Sequence, residues 1–283
     1  VTVIEAGARI LAREDPEMAA VVERALLEDG VDLKTGAAID HVEKGADGIR
    51  IALRLDEERS VVEGSHLLVA TGRKPVTEGL GLDAARVSAD ASGIVVDRGL
   101  RTSNRRIYAI GDCAGGAAGG YRFTHVANHH AGLVIRSALF RLPVRIDNTP
   151  LPRVTYTDPE LAAVGLSEDE ARAQNRAFRI LRWPFAENDR AQAGRATAGH
   201  VKAIVTPRGK VLGCAIAGAA AGELIVPWGL AVQKGLKAQD LAGLVFPYPT
   251  FSEVTKRAAV EFLRPSARNP WLRRLIGVAR RFG

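Results

Sequence analysis

The chain has 283 residues, 47% of them hydrophobic and 25% charged, enough for about two globular domains with ordinary cores and unlike a disordered chain. A net charge of +7 suggests a nucleic-acid binder until it is located: residues 264–283 hold six arginines and no acid, so the rest of the chain is almost neutral and offers no basic groove. No run approaches the roughly 20 uncharged apolar residues of a membrane span, no secretory pattern opens the chain, and Cys113 and Cys214 are too far apart for a local redox or zinc centre; the expectation is a soluble, cytoplasmic protein without disulfides.

"VTVIEAG" reads as a buried strand ending in an acid, with neither a methionine nor a helix before it, as though sequence precedes it. "DPEMAAVVERALLEDGV" predicts a helix capped by Asp15, with Pro16 in its first turn and Gly30 as its stop, followed by a strand from Val31. "DGIRIALRL" and "SVVEGSHLLVATG" read as strands, the second ending on Thr71-Gly72, and "RIYAIGDCAGG" reads as a third, ending at Gly111-Asp112. "FTHVANHHAGLVIRSALF" predicts a helix of about four turns.

The character changes near residue 148. Ser167 and Glu170 have the spacing of a capping box, and "HVKAIVT" with "KVLGCAIAG" reads as a hairpin around Pro207-Arg208-Gly209. Helices over 221–234 and 252–263 would pack on that sheet, giving an α+β second part to an α/β chain.

Several residues could carry chemistry. Glu5 closes a strand where a dinucleotide fold places a ribose-binding acid, although a solvated strand end fits the local sequence as well. Gly111-Asp112 pairs a permissive glycine with a carboxylate ahead of a helix N-terminus, an arrangement for sugar hydroxyls and an anion, or a plain turn. His125 and His129 stand at metal-ligand spacing, but no neighbouring acid or cysteine adds a third ligand, so no metal is expected and His125 is read as packing or touching backbone at the helix start. Cys113 is read as a small buried side chain. In "VFPYPTFSEV", Glu253 falls in a first helical turn and Tyr248 is a donor or weak acid within its reach; a phenol titrating near ~10 is a poor base at neutral pH.

In order and spacing, "VTVIEAG", "LLVATGRKP", "TSNRRIYAIGDCAGG", "YTDPELAAVGLSEDEA", "HVKAIVTPRGKVLGCAIAG" and "YPTFSEVTKRAA" resemble the C-terminal part of the flavin-dependent pyridine nucleotide-disulfide oxidoreductases, the family of dihydrolipoamide dehydrogenase and mercuric reductase. The resemblance covers about residues 1–263. It implies partial Rossmann-like domains for NAD (1–72) and FAD (73–148), then an α+β dimerisation domain (149–263) and a basic tail (264–283). Glu5 would be the ribose acid, favouring NAD(H) over NADP(H), and Gly72 would lie beside the cofactors. Gly111 and Asp112 would meet the ribityl chain and phosphates of FAD. The helix starting near Thr124 and His125 would aim its N-terminus at the isoalloxazine ring.

The resemblance also implies a homodimer, in which the family's "HPTxSE" segment reaches the partner's flavin site. Here Tyr248 stands in place of the catalytic histidine, while Pro249, Thr250, Ser252 and Glu253 match. A tyrosine there is similar to mercuric reductase, but the C-terminal vicinal cysteines that deliver mercury are absent, so the acceptor, a disulfide or another small molecule, stays open. The family's FAD glycine motif, C-x4-C pair and NAD glycine loop would all precede Val1. The expectation is therefore part of an FAD- and NAD(H)-dependent oxidoreductase, inactive by itself; the alternative is a non-catalytic dimerisation and membrane-surface module.

The tail supplies the second half of that alternative. In "NPWLRRLIGVARRFG", Asn269 would cap a helix begun by Pro270. At 100° per residue Trp271, Leu272, Leu275, Ile276, Val278, Ala279 and Phe282 share one face and Arg273, Arg274, Arg280 and Arg281 the other. Such a helix over 269–283 suits the anionic inner surface of a membrane, or packing onto protein with its arginines in water.

Overall fold

A computed structural model describes residues 1–45, 48–55, 58–267 and 270–280. Two compact units make up the chain: Val1–Leu67 together with Thr149–Gly283, and Leu68–Asn148.

The first unit opens with a β-α-β element. β1 (Thr2–Ile4) and β2 (Asp32–Lys34) pair in parallel, and α1 (Pro16–Glu28) makes the crossover that a parallel pair needs. The helix starts and stops as the sequence predicts. Asp15 accepts from the Glu17 N–H at 3.0 Å, Pro16 sits where its missing N–H costs nothing, and Gly30 turns the chain away at φ +80°. β3 (Ala37–Lys44), β4 (Ile49–Leu55) and β5 (Glu58–Gly64) follow as an antiparallel sheet.

The second unit holds β6 (Ala89–Asp90), β7 (Gly93–Val96), β8 (Ala114–Gly116) and α2 (Thr124–Ala138). β7 pairs antiparallel with β6 and parallel with β8, and Val87, Ile94, Val96, Leu100, Ala114 and Ile146 form the core.

Two strands read from the sequence are curtailed. β5 ends at Gly64, and Leu68 and Val69 beyond it are exposed, so "HLLVATG" is not a strand. In "RIYAIGDCAGG", Tyr108 makes a single bridge to Arg101, Gly111–Cys113 form one 3-10 turn, and only Ala114–Gly116 pairs. Both segments have apolar, β-branched composition. Composition does not satisfy a strand's backbone groups, however, and among the described residues no strand runs beside "HLLVATG" or beside residues 106–113.

The rest of the first unit comprises β9 (Arg153–Thr155), β10 (Glu160–Gly165), α3 (Glu168–Ala173), β11 (Arg179–Pro184), α4 (Asp189–Ala193), β12 (His200–Val205), β13 (Val211–Gly218), α5 (Ala221–Leu224), α6 (Val226–Lys234), α7 (Ala238–Ala242), α8 (Glu253–Val260), α9 (Arg264–Ala267) and α10 (Pro270–Ala279). Its antiparallel sheet runs β11-β12-β13-β10-β9. The β12–β13 hairpin and the Ser167–Glu170 capping box form as expected. The helix read over 221–234 breaks at Ile225 into α5 and α6, because Pro227 lacks the N–H that would continue it. The Asn269 cap lies outside the described residues.

Alternation along β10 loads both faces of this sheet. Ala162 and Val164 join Trp228, Val254 and Ala258 on one side, whereas Leu161 and Ala163 lie with Met18 and Val22 of α1 on the other. α1 is also held by charge. The Lys202 side chain, 5% exposed, reaches Asp15 at 2.8 Å and Glu17 and Glu168 at 2.9 Å each. Burial alone would lower the Lys202 pKa, but the hydrogen bonds it donates to the three carboxylates outweigh it and hold the ammonium above the usual lysine range. Glu17, bonded first by Arg182 and then by Lys202, titrates at about 2.

Candidate functional site

The structure places the candidate residues in three groups, one in the second unit and two in the first. Glu5 follows β1, and its backbone N–H donates to the Lys34 carbonyl at 2.9 Å, which fixes it at the end of the parallel pair. Its Oε1 accepts from the Gly7 N–H at 2.6 Å. The carboxylate is thereby oriented through one oxygen, with the other available to a ligand hydroxyl.

Within the second unit, Gly72, Gly111, Asp112, Thr124 and His125 are drawn together by two contacts that the sequence does not announce. Gly111 adopts φ +66°, and a Cβ there would come within 2.9 Å of Ala127, so the turn needs glycine both for its conformation and for its approach to α2. Its N–H donates to His130 Nδ1 at 3.3 Å. Burial, then the neighbouring His129, lowers the His130 pKa, which keeps the imidazole neutral and able to accept. Arg122 makes the second contact, donating to the Arg73 carbonyl at 2.8 Å and so drawing the loop at Gly72 towards the start of α2.

The exposed Asp112 carboxylate has no hydrogen-bond partner among the described residues. α2 begins at Thr124 with Phe123 in the capping position and no side chain closing the helix end. His125 is exposed and stacks on Phe123, with ring centroids 5.2 Å apart. Among the described residues no three His, Cys, Asp or Glu side chains gather as metal ligands. Cys113 is half-buried, not enclosed, because its turn lies at the surface beside Asp112, and its Sγ donates to the Ile110 carbonyl. Cys214 is buried, and burial pushes its thiol well above the usual range, out of reach of nucleophilic work.

The third group is Tyr248 with Glu253. Glu253 is the first residue of α8, as read from the sequence. Thr250 shapes the turn between them, donating to the Pro247 carbonyl at 2.7 Å, while its own carbonyl accepts from Asn188 Nδ2 at 3.0 Å. Tyr248 is 70% exposed, and its hydroxyl donates to Asp189 Oδ2 at 2.9 Å. That hydrogen bond, then the charges of Asp189 and Glu253, raise the phenol's pKa. Tyr248 is therefore neutral at physiological pH. Asp189, 59 positions away, left no signal in the sequence around Tyr248.

Residues 1–131 match the model described as pyridine nucleotide-disulphide oxidoreductase, and residues 151–259 match that family's dimerisation domain. A mercuric reductase of Bacillus cereus is 35% identical over 264 residues, which cover 93% of this chain and 41% of the relative. A dihydrolipoyl dehydrogenase of Geobacillus stearothermophilus is 33% identical over 261 residues, 92% of this chain and 54% of the relative. The crystal structure of LpdA from Mycobacterium tuberculosis superposes with a TM-score of 0.84 at 31% identity, covering 92% of this chain and 55% of that one. A copper(II) complex of RclA, an HOCl-induced flavoprotein disulfide reductase of Escherichia coli, superposes at 0.82 with 26% identity, covering 92% and 58%. The chain spans about half the length of the relatives it matches.

Proposed function

The chain belongs to the pyridine nucleotide-disulphide oxidoreductase family, and from that premise we propose that it supplies the C-terminal part of an FAD-dependent, NAD(H)-linked oxidoreductase. The enzyme would pass electrons from NADH to a disulfide or another small acceptor. The observation that carries this reading is the Gly111-Asp112 turn locked against Ala127 and His130 of α2, the helix whose N-terminal end carries no side-chain cap.

The residues present fit the cofactors. Asp112, exposed and without a hydrogen-bond partner among the described residues, would accept from the ribityl hydroxyls of FAD, and the N-terminal turn of α2, from Thr124 and His125, would favour negative charge near the ring. Bound FAD supplies the carrier between a two-electron donor and the acceptor. Gly72, at φ +120° with open space beside it, leaves room for close approach. The remaining oxygen of Glu5 would accept from an adenosine ribose and repel a 2′-phosphate, which selects NAD(H).

On this reading the segments 1–72, 73–148 and 149–263 are the NAD, FAD and dimerisation parts. The matched dimerisation domain and the exposed apolar side chains of Val226, Leu230 and Val245 support a homodimer. Tyr248 and Glu253 would line the partner's acceptor pocket. With its proton directed at Asp189, Tyr248 would present its oxygen to a donor and position the acceptor, without acting as a base. The chain by itself would lack dye-linked NADH oxidation, because the glycine motifs with which the family binds FAD and NAD are not among its residues.

The test is a visible spectrum of the protein carrying this segment, before and after anaerobic NADH. A flavin band that bleaches with NADH supports the assignment. A colourless protein, even after incubation with FAD, removes it.

A further inference from the structure

α10 exposes the borders of its apolar face. On a helix with 100° per residue, Val278 stands near one border of that face, Ile276 near the other, and Trp271 between them. All three are exposed, at 53%, 51% and 77%. Both borders of the face are thus turned to solvent. Arg274 and Arg280, also exposed, lie on the opposite side. Over 264–283 no acid offsets the six arginines, so this one short segment carries nearly all of the chain's net charge.

From this we infer that α10 is a membrane-surface anchor that lies in the headgroup layer of an anionic bilayer. The two halves of the helix divide the work. Trp271, Ile276 and Val278 enter the acyl boundary, and the arginines stay level with acidic headgroups, where their long stems reach past the apolar face. Neither half suffices alone: the apolar surface is small for a stable anchor, and the basic charge by itself is screened by salt within a Debye length of about 8 Å. Among the described residues no helix is long and apolar enough to cross a membrane, so the contact is with the surface. Charge complementarity is what selects this occupant. A second copy of this segment would offer the arginines no acid, since residues 264–283 hold none.

The experiment is co-sedimentation of the full chain with phosphatidylcholine vesicles, with and without phosphatidylserine. Binding to the acidic vesicles only, weakened by raised salt, is expected. Replacing Arg274 and Arg280 by glutamate should lower partitioning at least about thirty-fold, since each basic residue near the surface contributes about 1 kcal/mol, roughly fivefold. I276E with V278E should abolish it. Both pairs are exposed, so the fold should survive, and circular dichroism checks that it does. Failure of the unaltered chain to sediment with acidic vesicles, or equal binding by either double variant, would overturn the inference. So would I276E/V278E converting a dimer to a monomer in light scattering without changing vesicle binding, which would assign the face to a second copy.

Discussion

Tyr248 and Asp189 are joined by a hydrogen bond of 2.9 Å between a phenol and a carboxylate that lie in different elements of the same unit. The acid accepts, so the tyrosine keeps its proton, and its pKa is raised for that reason before any other. Asp189→Asn removes the charge while keeping an acceptor. The Tyr248 titration, followed by the chemical shift of its ring carbon, should then move down towards that of an ordinary tyrosine. An unchanged titration would show that the carboxylate does not govern the phenol.

Lys202, itself buried, pairs with the buried Asp15 and with the more exposed Glu168 and Glu17. Lys202→Met should cost about 3–5 kcal/mol in urea unfolding, because truncating one member of a buried charge cluster strands the others. Asp40→Asn, which breaks the exposed pair with Arg54, should cost under about 1 kcal/mol. Similar losses for the two variants would contradict the burial argument.

The same cluster sets a pH dependence. Glu17 has its folded pKa lowered to about 2, chiefly by Arg182, and Glu168 is lowered by Lys202 and Arg172. A lowered carboxylate pKa stabilises the fold above the ordinary carboxylate range, and the contribution is lost as pH falls through the folded value. Stability should therefore drop between about pH 5 and pH 2. Glu17→Gln should be less stable at neutral pH and show a shallower fall on acidification, read from unfolding curves across that range.

Gly111→Ala should destabilise the second unit by about 1–3 kcal/mol, through a left-handed backbone and a Cβ pressed on Ala127. Adding Ala127→Gly removes the contact but not the backbone cost, so thermal unfolding of the double variant should recover only part of the loss. Full recovery would mean that the turn tolerates a side chain.

Much of the local architecture was legible because its signals lie within a few residues. Asp15-Pro16 opens α1, Ser167 and Glu170 cap α3, and the β12–β13 hairpin closes around a single glycine turn. Tyr248 and Glu253 could be paired from sequence for the same reason, being five positions apart across a proline turn. What escaped depends on distance along the chain. Asp189 meets Tyr248, His130 meets Gly111, and Lys202 meets Asp15 across 59, 19 and 187 positions, and no periodicity or capping pattern encodes such meetings. The overestimated strands fail from the opposite side: their composition favours extension, but extension persists only where a neighbouring backbone takes up the hydrogen bonds.

The packing of α1 on β10 and β13 also sets an order of events during synthesis. Met18 and Val22 leave the ribosome long before Leu161, Ala163 and Ala215, the side chains that cover them. The Glu14–Arg153 pair likewise joins positions 139 apart. The core cluster of the interposed second unit lies between positions 87 and 146, so its contacts can form before those of α1 with β10 and β13. In a nascent chain halted after residue 148, α1 would accordingly keep its apolar stripe bare of these strands, a form for chaperones to recognise and proteases to cut.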